Sequence, residues 1–274
     1  MTDTNKQTSN RYHFDSENHI HLLDDKPLVG TSTVLGIVSK PLSWWASGKA
    51  VEVMGWVHSR EKIATRLESA NLMLEKIKSM GERDYLKLLD QAYGNHSLSL
   101  SESAGKGTDL HFELEMWVKG IISGEKKEPI EQILQFTNWC AENVDQFLWT
   151  ELHMYSEANW IGGVCDLGIR LKDGRIGVLD HKSSKDAYYT HFLQDGGYVL
   201  QIEENMGGFD GNGNRIFELE HPIDFIGVVP YGGDSKIPVL DENVSAYKEE
   251  FIAALKLYRG NIRYMNQHRS KPTY

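Results

Sequence analysis

The sequence feature that most constrains the fold is a predicted β-hairpin in the middle of the chain. A strand from about Val164 to Leu171 is followed by the turn Lys172–Arg175 and by a second strand, Ile176–Lys182. The Asp-Gly pair inside the turn supplies the positive φ that a tight hairpin connection needs. The second strand is apolar for four residues and then becomes charged, which makes its end a candidate functional position.

Three ionisable side chains are expected to meet at the end of this hairpin. Asp180 and Lys182 are two residues apart on a strand and therefore emerge on the same face, while Asp166 lies on the neighbouring strand. Two carboxylates favour a hard divalent cation, and a lysine beside it can orient or deprotonate a water or stabilise charge on a phosphate. An ordinary surface salt bridge is the alternative, since the D-x-K tripeptide is common by chance.

Further residues extend this trio into a longer pattern. Gly107-Thr108-Asp109-Leu110-His111 has the form G-T-x-x-H, and Gln194-Asp195-Gly196-Gly197-Tyr198 has the form Q-x-x-x-Y. With Asp166 and Asp180-His181-Lys182 between them, the order and spacing resemble the RecB-like branch of the PD-(D/E)XK nuclease superfamily. The resemblance covers roughly Gly105 to Tyr198. No proline precedes the first aspartate, a departure that is frequent in this branch.

The resemblance implies an α/β fold with a restriction-endonuclease-like core, in which helices flank a central mixed sheet. It implies a metal-dependent site with Mg²⁺ or Mn²⁺ as the cofactor. The catalytic residues that it implies are Asp166, Asp180, Lys182 and His111. The metal ligands that it implies are His111, Asp166, Asp180 and the backbone carbonyl of His181. The residues that it implies for DNA binding are Gln194, Tyr198 and Lys185, with the tyrosine stacking on a base or hydrogen-bonding.

The function that the resemblance implies is hydrolysis of DNA phosphodiester bonds. An exonuclease of recombination, repair or phage DNA processing is favoured, acting on single- or double-stranded DNA in the cytoplasm of a bacterial or phage-infected cell. A recombination protein or a single-strand-binding protein is the partner that such a role implies. A structure- or sequence-selective endonuclease is the first alternative. An inactive nucleic-acid-binding module is the second, and the intact Asp/Asp/Lys set argues against it.

The composition of the chain narrows the classes of protein that remain possible. Two cysteines, Cys140 and Cys165, are too few for a disulfide framework or for the four-cysteine iron–sulfur cluster of some RecB-like nucleases. We find no signal peptide and no apolar run of membrane-spanning length, and therefore expect no membrane partner. The net charge of -10 disfavours tight coating of a DNA duplex, although a local basic groove beside a metal is compatible with it.

The rest of the chain is expected to build one domain around this hairpin. A disordered tail, 1–10, precedes a single nuclease domain, 11–274, in which about 11–100 is a hairpin with a helical elaboration and about 101–274 is the catalytic core. Outside the central hairpin, the predicted elements are a hairpin over 11–23, helices over 31–39, 43–56, 61–80, 84–93, 129–143, 186–205 and 241–268, a polar loop over 95–103, and strands over 147–155, 216–219 and 225–231. A further helix is expected to begin after the polar loop and to contain 107–120. Thr31 or Ser32 is the expected cap of the first helix. The helix over 61–80 is expected to bury its apolar residues, which are Ile63, Leu67, Leu72, Leu74 and Ile77.

Other charged residues have roles that the sequence leaves open. Glu115 is one helical turn from His111, and Glu157 precedes the central hairpin; each either approaches the site or serves only the structure. Three histidines are expected on the polar face of the N-terminal hairpin, namely His13, His19 and His21. A C-terminal basic cluster either complements a helix dipole or binds phosphates, and it consists of Arg259, Arg263, His268, Arg269 and Lys271.

Overall fold

The computed structural model of the protein describes residues 11–38, 43–125 and 128–268, except for the side chains of 43–45, 98–108 and 268. Within these residues the chain forms two compact units, one of 11–38 with 110–268 and one of 43–109. The first unit has an α/β fold, in which helices flank a mixed sheet. This confirms the predicted fold class at that level. The predicted tail, 1–10, and two residues of the basic cluster, Arg269 and Lys271, lie outside the described residues.

The first unit begins with a small antiparallel sheet. In the described N-terminal stretch its strands pair in chain order and are β1 (Tyr12–Asp15), β2 (Ile20–Leu23) and β3 (Lys26–Pro27). The predicted hairpin is thus confirmed. One expectation is wrong, because His21 is buried rather than on the polar face, with its Nδ1 2.7 Å from the hydroxyl of Tyr12.

Short elements follow the hairpin, namely β4 (Val29–Gly30), α1 (Thr31–Val34) and a 3-10 turn (Leu35–Val38). The expectation that Thr31 or Ser32 caps α1 is wrong, because Gly30 is the N-cap and no side chain caps the helix. Thr31 is buried, and its hydroxyl is used elsewhere. It donates to the carbonyl of Gly162 at 3.1 Å and accepts from the amide of Gln201 at 2.8 Å.

The second unit is helical and contains two features that the sequence predicted wrongly. Its elements are α2 (Ser43–Val53), α3 (Ile63–Lys78) and the first part of α4 (Glu82–Ser123). No residue of α3 is buried in the described structure. Four of the apolar residues that were expected in a core are more than half exposed, namely Ile63, Leu67, Leu72 and Leu74. The amphipathic pattern therefore predicted the helix correctly but not its burial, because a row of apolar side chains is buried only where a neighbouring element covers it.

The predicted loop over 95–103 is wrong as well, because α4 continues through it. This segment contains no proline, and glycine disfavours a helix by only about 1 kcal/mol per residue. Neither its serines nor the flanking glycines are therefore strong enough to end a long helix. The G-T-x-x-H segment, 107–111, consequently lies inside α4 rather than at the start of a new helix.

The central sheet contains eight strands of the described residues. Besides β4 they are β5 (Val144–Ser156), β6 (Ile161–Leu171), β7 (Ile176–Lys182), β8 (Gly207–Phe209), β9 (Arg215–Glu218), β10 (Phe225–Pro230) and β11 (Val239–Asp241). Their order is β11-β10-β7-β6-β5-β8-β9, with β4 paired to β6. The β7–β10 and β4–β6 pairs are parallel and the others antiparallel. The strands predicted over 147–155, 216–219 and 225–231 are confirmed, whereas β4, β8 and β11 were not predicted.

The β6–β7 hairpin forms as the sequence predicted. Gly174 has a φ of +93°, in the left-handed region that favours glycine, and its N–H donates to the carbonyl of Leu171 at 2.9 Å. Gly168 and Gly177 also matter, because each leaves room for an aromatic ring that lies against the strand, that of Trp149 and that of Phe225 respectively.

Helices cover both faces of the sheet. On one face, α6 (Tyr189–Asn205) packs on β5, β6, β7 and β10, and α7 (Val244–His268) packs mainly against α6. On the other face, α5 (Leu134–Asn143) and the last part of α4 bury a cluster that includes Phe136, Leu167 and Phe225. The alternation of Val178 and Leu179 between the two clusters shows that β7 is buried on both faces. No helix in the described ranges is long and apolar enough to cross a membrane.

Candidate functional site

Asp180 and Lys182 form an ion pair at the end of β7. The Lys182 ammonium lies 2.5 Å from the Asp180 carboxylate, which is 1% exposed, so the predicted same-face pair is confirmed. Burial raises the pKa of Asp180 to about 6, against the attraction of Lys182. Burial also disfavours the charged form of Lys182, but the attraction of Asp180 and Asp166 outweighs it and raises the pKa of the lysine. The lysine is therefore held as an ammonium ion.

Asp166 meets this segment through the backbone. The β6–β7 ladder ends at the pair Leu167–Leu179, one residue before Asp166 and Asp180 would face each other. Beyond that point the N–H of His181 donates to Asp166 Oδ2 at 2.7 Å. The expected convergence of Asp166 with the D-H-K segment is thus present, with a main-chain hydrogen bond as the link.

His111 approaches the same segment from α4. Its Nε2 lies 2.7 Å from the carbonyl oxygen of His181, and its Nδ1 lies 3.8 Å from Asp166 Oδ2. A carbonyl oxygen can only accept, so Nε2 carries the proton and donates. The lone pair of the neutral ring is then on Nδ1, on the side of Asp166. The carbonyl of His181, expected as a metal ligand, is engaged by the ring of His111.

Glu151 on β5 completes this group, and the sequence analysis missed it. Ligand atoms of His111, Glu151 and Asp166 all lie within 4.8 Å of one another. Burial, with a contribution from the charge of Asp166, raises the pKa of Glu151 to about 8. Glu151 also has a φ of +51°, which is uncommon for a residue with a side chain. The available signal was a single carboxylate inside the alternating strand sequence LWTELHMYS, which alone does not predict a site.

The ring of His181 packs in the core beside this group, with its centroid 6.1 Å from that of the His111 ring. It is buried and contacts Phe136 and Tyr231, with ring centroids 5.3 and 5.6 Å away. Burial lowers the pKa of His181 well below its usual value. The side chain is therefore a neutral part of the core, and only its backbone belongs to the site.

The two α6 residues of the Q-x-x-x-Y pattern contact each other. The amide of Gln194 donates a hydrogen bond to the hydroxyl of Tyr198. The expectation that Tyr198 stacks on a base is contradicted, because its ring is 5% exposed and packs in the core against β6, where a Cβ on Gly163 would lie 2.9 Å from it. Stacking needs an accessible ring face, which this packing does not leave.

A buried carboxylate on α6 was also missed. Asp195 is fully buried, and neither of its carboxylate oxygens has a hydrogen-bond partner among the described residues. Burial raises its pKa well above the usual value, and the charge of Asp180 adds to that rise. Asp195 thus belongs to the electrostatic surroundings of the Asp180–Lys182 pair, without an exposed face of its own.

The remaining candidates have no described hydrogen bond or ion pair with this group, although the charge of Glu115 adds to the rise in the pKa of Glu151. Lys185 is exposed after β7. Glu115 forms an ion pair with Lys119 on α4, and Glu157 forms one with Arg11 at 2.9 Å. For each of the two glutamates, the structure therefore provides an ion-pair partner of the kind that a structural role requires.

A cleft of about 640 Å³ gives access to the group. His111, Glu151 and Asp166 line one part of it, and Phe14, His153 and Tyr258 line others. An imidazole nitrogen with two carboxylates is a donor set that divalent cations bind in proteins. The residues present therefore fit the metal that the sequence predicted. No family model matches the chain, and no curated protein matches it in sequence.

Proposed function

We propose that the protein is a metal-dependent deoxyribonuclease with a restriction-endonuclease-like core of the PD-(D/E)XK type, and that exonuclease action is its principal activity. The observation that carries the proposal is the assembly of four predicted side chains around the backbone of one residue. His181 donates its N–H to Asp166 and accepts from His111 through its carbonyl, while its neighbours Asp180 and Lys182 are paired at 2.5 Å.

The side chains divide the chemistry between them. Asp166 and His111 face the cleft and would hold Mg²⁺ or Mn²⁺. Such a cation lowers the pKa of a bound water and offsets charge on a phosphate. Lys182 would stabilise negative charge that develops on the phosphate, since its raised pKa suits an ammonium better than a general base. Asp180 holds that ammonium in place.

DNA would enter through the cleft. Of the three residues expected to bind it, Lys185 is the one that is exposed and can reach a phosphate at the surface. Gln194 is half-buried and donates to Tyr198, so these two residues would shape the wall rather than stack on bases. Arg259 and Arg263 on α7 are exposed next to Tyr258, which lines the cleft, and would add phosphate contacts.

The test is cleavage of end-labelled linear DNA, single- and double-stranded, beside a closed circular substrate. We expect degradation with Mg²⁺ or Mn²⁺, none in EDTA, and no cleavage of the circle. Lys182→Ala should lower the rate about 10²-fold or more, as for loss of one electrostatic stabiliser. Lys256→Ala removes an exposed lysine on α7 and is the matched control.

The alternatives give different results in the same assay. Cleavage of the circle would identify an endonuclease. DNA binding without cleavage under any metal condition would indicate the inactive module. Undiminished cleavage in EDTA, or equal rates for wild type and Lys182→Ala, would refute the proposed mechanism.

A further inference from the structure

The two carboxylates that were predicted as metal ligands have different surroundings, and this difference indicates which of them can bind the metal. Asp166 lines the cleft. Asp180 is 1% exposed and has the Lys182 ammonium 2.5 Å from its carboxylate. A cation that replaced this ammonium would have to enter a closed, already neutralised position. Asp180 is therefore a poor ligand in this arrangement.

Glu151 lies where a second carboxylate ligand is needed. It lines the same cleft as Asp166 and His111, and the three offer ligand atoms within 4.8 Å of one another. No described residue donates a hydrogen bond to the Glu151 carboxylate. Glu151 is only partly exposed, and a carboxylate that has lost part of its hydration without gaining a donor is unfavourable unless something else satisfies it. A cation in the cleft would do so.

The hydrogen bond of His111 points to a ligand independently of the acidic residues. Metal-binding histidines almost always donate their other ring N–H to a carboxylate, a backbone carbonyl or water, which fixes the tautomer. The Nε2 of His111 has such a partner in the carbonyl of His181, at 2.7 Å. Its Nδ1 lies 3.8 Å from Asp166 Oδ2, so the free lone pair is on the side of the two carboxylates.

We propose that the metal is held by Nδ1 of His111 and by the carboxylates of Glu151 and Asp166, and that Asp180 serves as the counter-ion of Lys182 rather than as a ligand. This assignment rests on the proposed nuclease function for its biological purpose. The carbonyl of His181 then orients His111 instead of binding the metal. A mixed nitrogen and oxygen set favours Mn²⁺ over Mg²⁺, because imidazole suits transition metals better than it suits magnesium.

The experiment is direct titration of the metal-free protein with Mn²⁺, followed by the electron paramagnetic resonance signal of free Mn²⁺. Glu151→Gln should weaken binding about tenfold or more, because loss of even an outer-sphere partner of a metal site typically costs that much. The double variant Asp180→Asn/Lys182→Met removes the pair without changing net charge and should bind within about twofold of wild type, because neither residue is a ligand in this assignment. Glu157→Gln is the matched control.

His111→Gln is a second ligand variant, to be used if circular dichroism shows that Glu151→Gln does not fold. The same titration with Mg²⁺ competing should show weaker binding of magnesium. Wild-type affinity in the folded ligand variant, with binding lost in the double variant, would overturn the assignment. So would the absence of Mn²⁺ binding by wild type at millimolar concentrations.

The titration also separates this inference from the nuclease proposal. If Mn²⁺ binds with the expected variant pattern but no DNA is cleaved, the metal site stands and the proposed activity fails. If DNA is cleaved while Glu151→Gln binds Mn²⁺ normally, the activity stands and the Glu151 assignment fails.

Discussion

At the end of the β6–β7 hairpin, the charged side chains on the two sides have different surroundings. On the α6 side, Asp180 and Lys182 are paired and largely withdrawn from solvent, with the buried Asp195 nearby. On the cleft side, Glu151 and Asp166 are partly exposed and lie together. Among the described residues neither forms an ion pair with a lysine or an arginine, although the charges of Lys119 and Lys182 act on them. The first arrangement neutralises charge inside the protein, whereas the second concentrates negative charge where a cation from solvent can reach it.

This difference predicts which substitutions affect stability and which affect ligand binding. Breaking a buried ion pair leaves an uncompensated charge and is strongly destabilising. Removing a carboxylate from the cleft relieves repulsion and should stabilise the metal-free protein. The two sides can therefore be distinguished by unfolding experiments alone, before any DNA is added.

The largest effect is expected for Lys182→Ala. The substitution leaves the carboxyl group of Asp180 buried without its counter-ion, which should lower the free energy of unfolding by about 3–5 kcal/mol, in addition to the loss of cleavage. Urea denaturation measures the stability. In Asp180→Asn/Lys182→Ala, most of the stability should return while cleavage stays low. If the single variant is as stable as wild type, the α6 side does not depend on this pair.

A smaller loss is expected for Tyr198→Ala. Truncating a buried aromatic residue costs about 3 kcal/mol through lost packing and the cavity that remains. Thermal or urea unfolding should detect it, and Tyr93→Ala is the control, since Tyr93 is 83% exposed. Tyr198→Phe should lose only about 1 kcal/mol with the Gln194 hydrogen bond. A stable Tyr198→Ala protein with weakened DNA binding would instead restore the stacking role that the burial contradicts.

The effect that is smallest over a single pH unit is the pH dependence caused by Glu151. Its pKa in the folded protein is raised to about 8 from an ordinary value of 4.5, so the folded state binds this proton more tightly than the unfolded state. Stability that is present below pH 4.5 is therefore lost as pH rises towards 8, by at most about 1.4 kcal/mol per pH unit.

Comparison of wild type with Glu151→Gln isolates this contribution, because Asp180 and Asp195 titrate in both proteins. In EDTA, the difference in free energy of unfolding should grow in favour of the variant between pH 5 and pH 8. If the free energies of unfolding of the two proteins change in parallel with pH, the ionised Glu151 carboxylate is no less favourable in the folded protein than in the unfolded chain. Adding Mn²⁺ should reverse the difference if the proposed ligand set is correct.

Much of the central architecture was predictable because its signals are local. The Asp-Gly turn, the apolar strand that ends in D-H-K and the helix carrying Gln194 and Tyr198 are each defined by neighbouring residues. The two-residue period of a strand is enough to place Asp180 and Lys182 on one face. The PD-(D/E)XK membership and the nuclease activity stay predictions.

The errors come from features that depend on distant contacts. The apolar stripe of α3 predicts a helix correctly, but burial depends on whether another element covers Leu67 and Leu74, which are exposed. Tyr198 fits a DNA-binding pattern in sequence, yet its accessibility is decided by its packing against β6. Glu151 is one of several polar residues in an alternating strand, and no spacing connects it with His111, 40 positions earlier in the chain.

By itself, the sequence determined the mixed α/β character, the central hairpin and the pairing of Asp180 with Lys182, because periodicity and turn chemistry act over a few residues. Only the tertiary structure decided which carboxylate meets His111. That choice depends on the end of the β6–β7 ladder, on the left-handed backbone of Glu151 and on the approach of α4 to the carbonyl of His181. The last of these joins residues 70 positions apart in the chain, and none of the three follows from the periodicity of a few neighbouring residues.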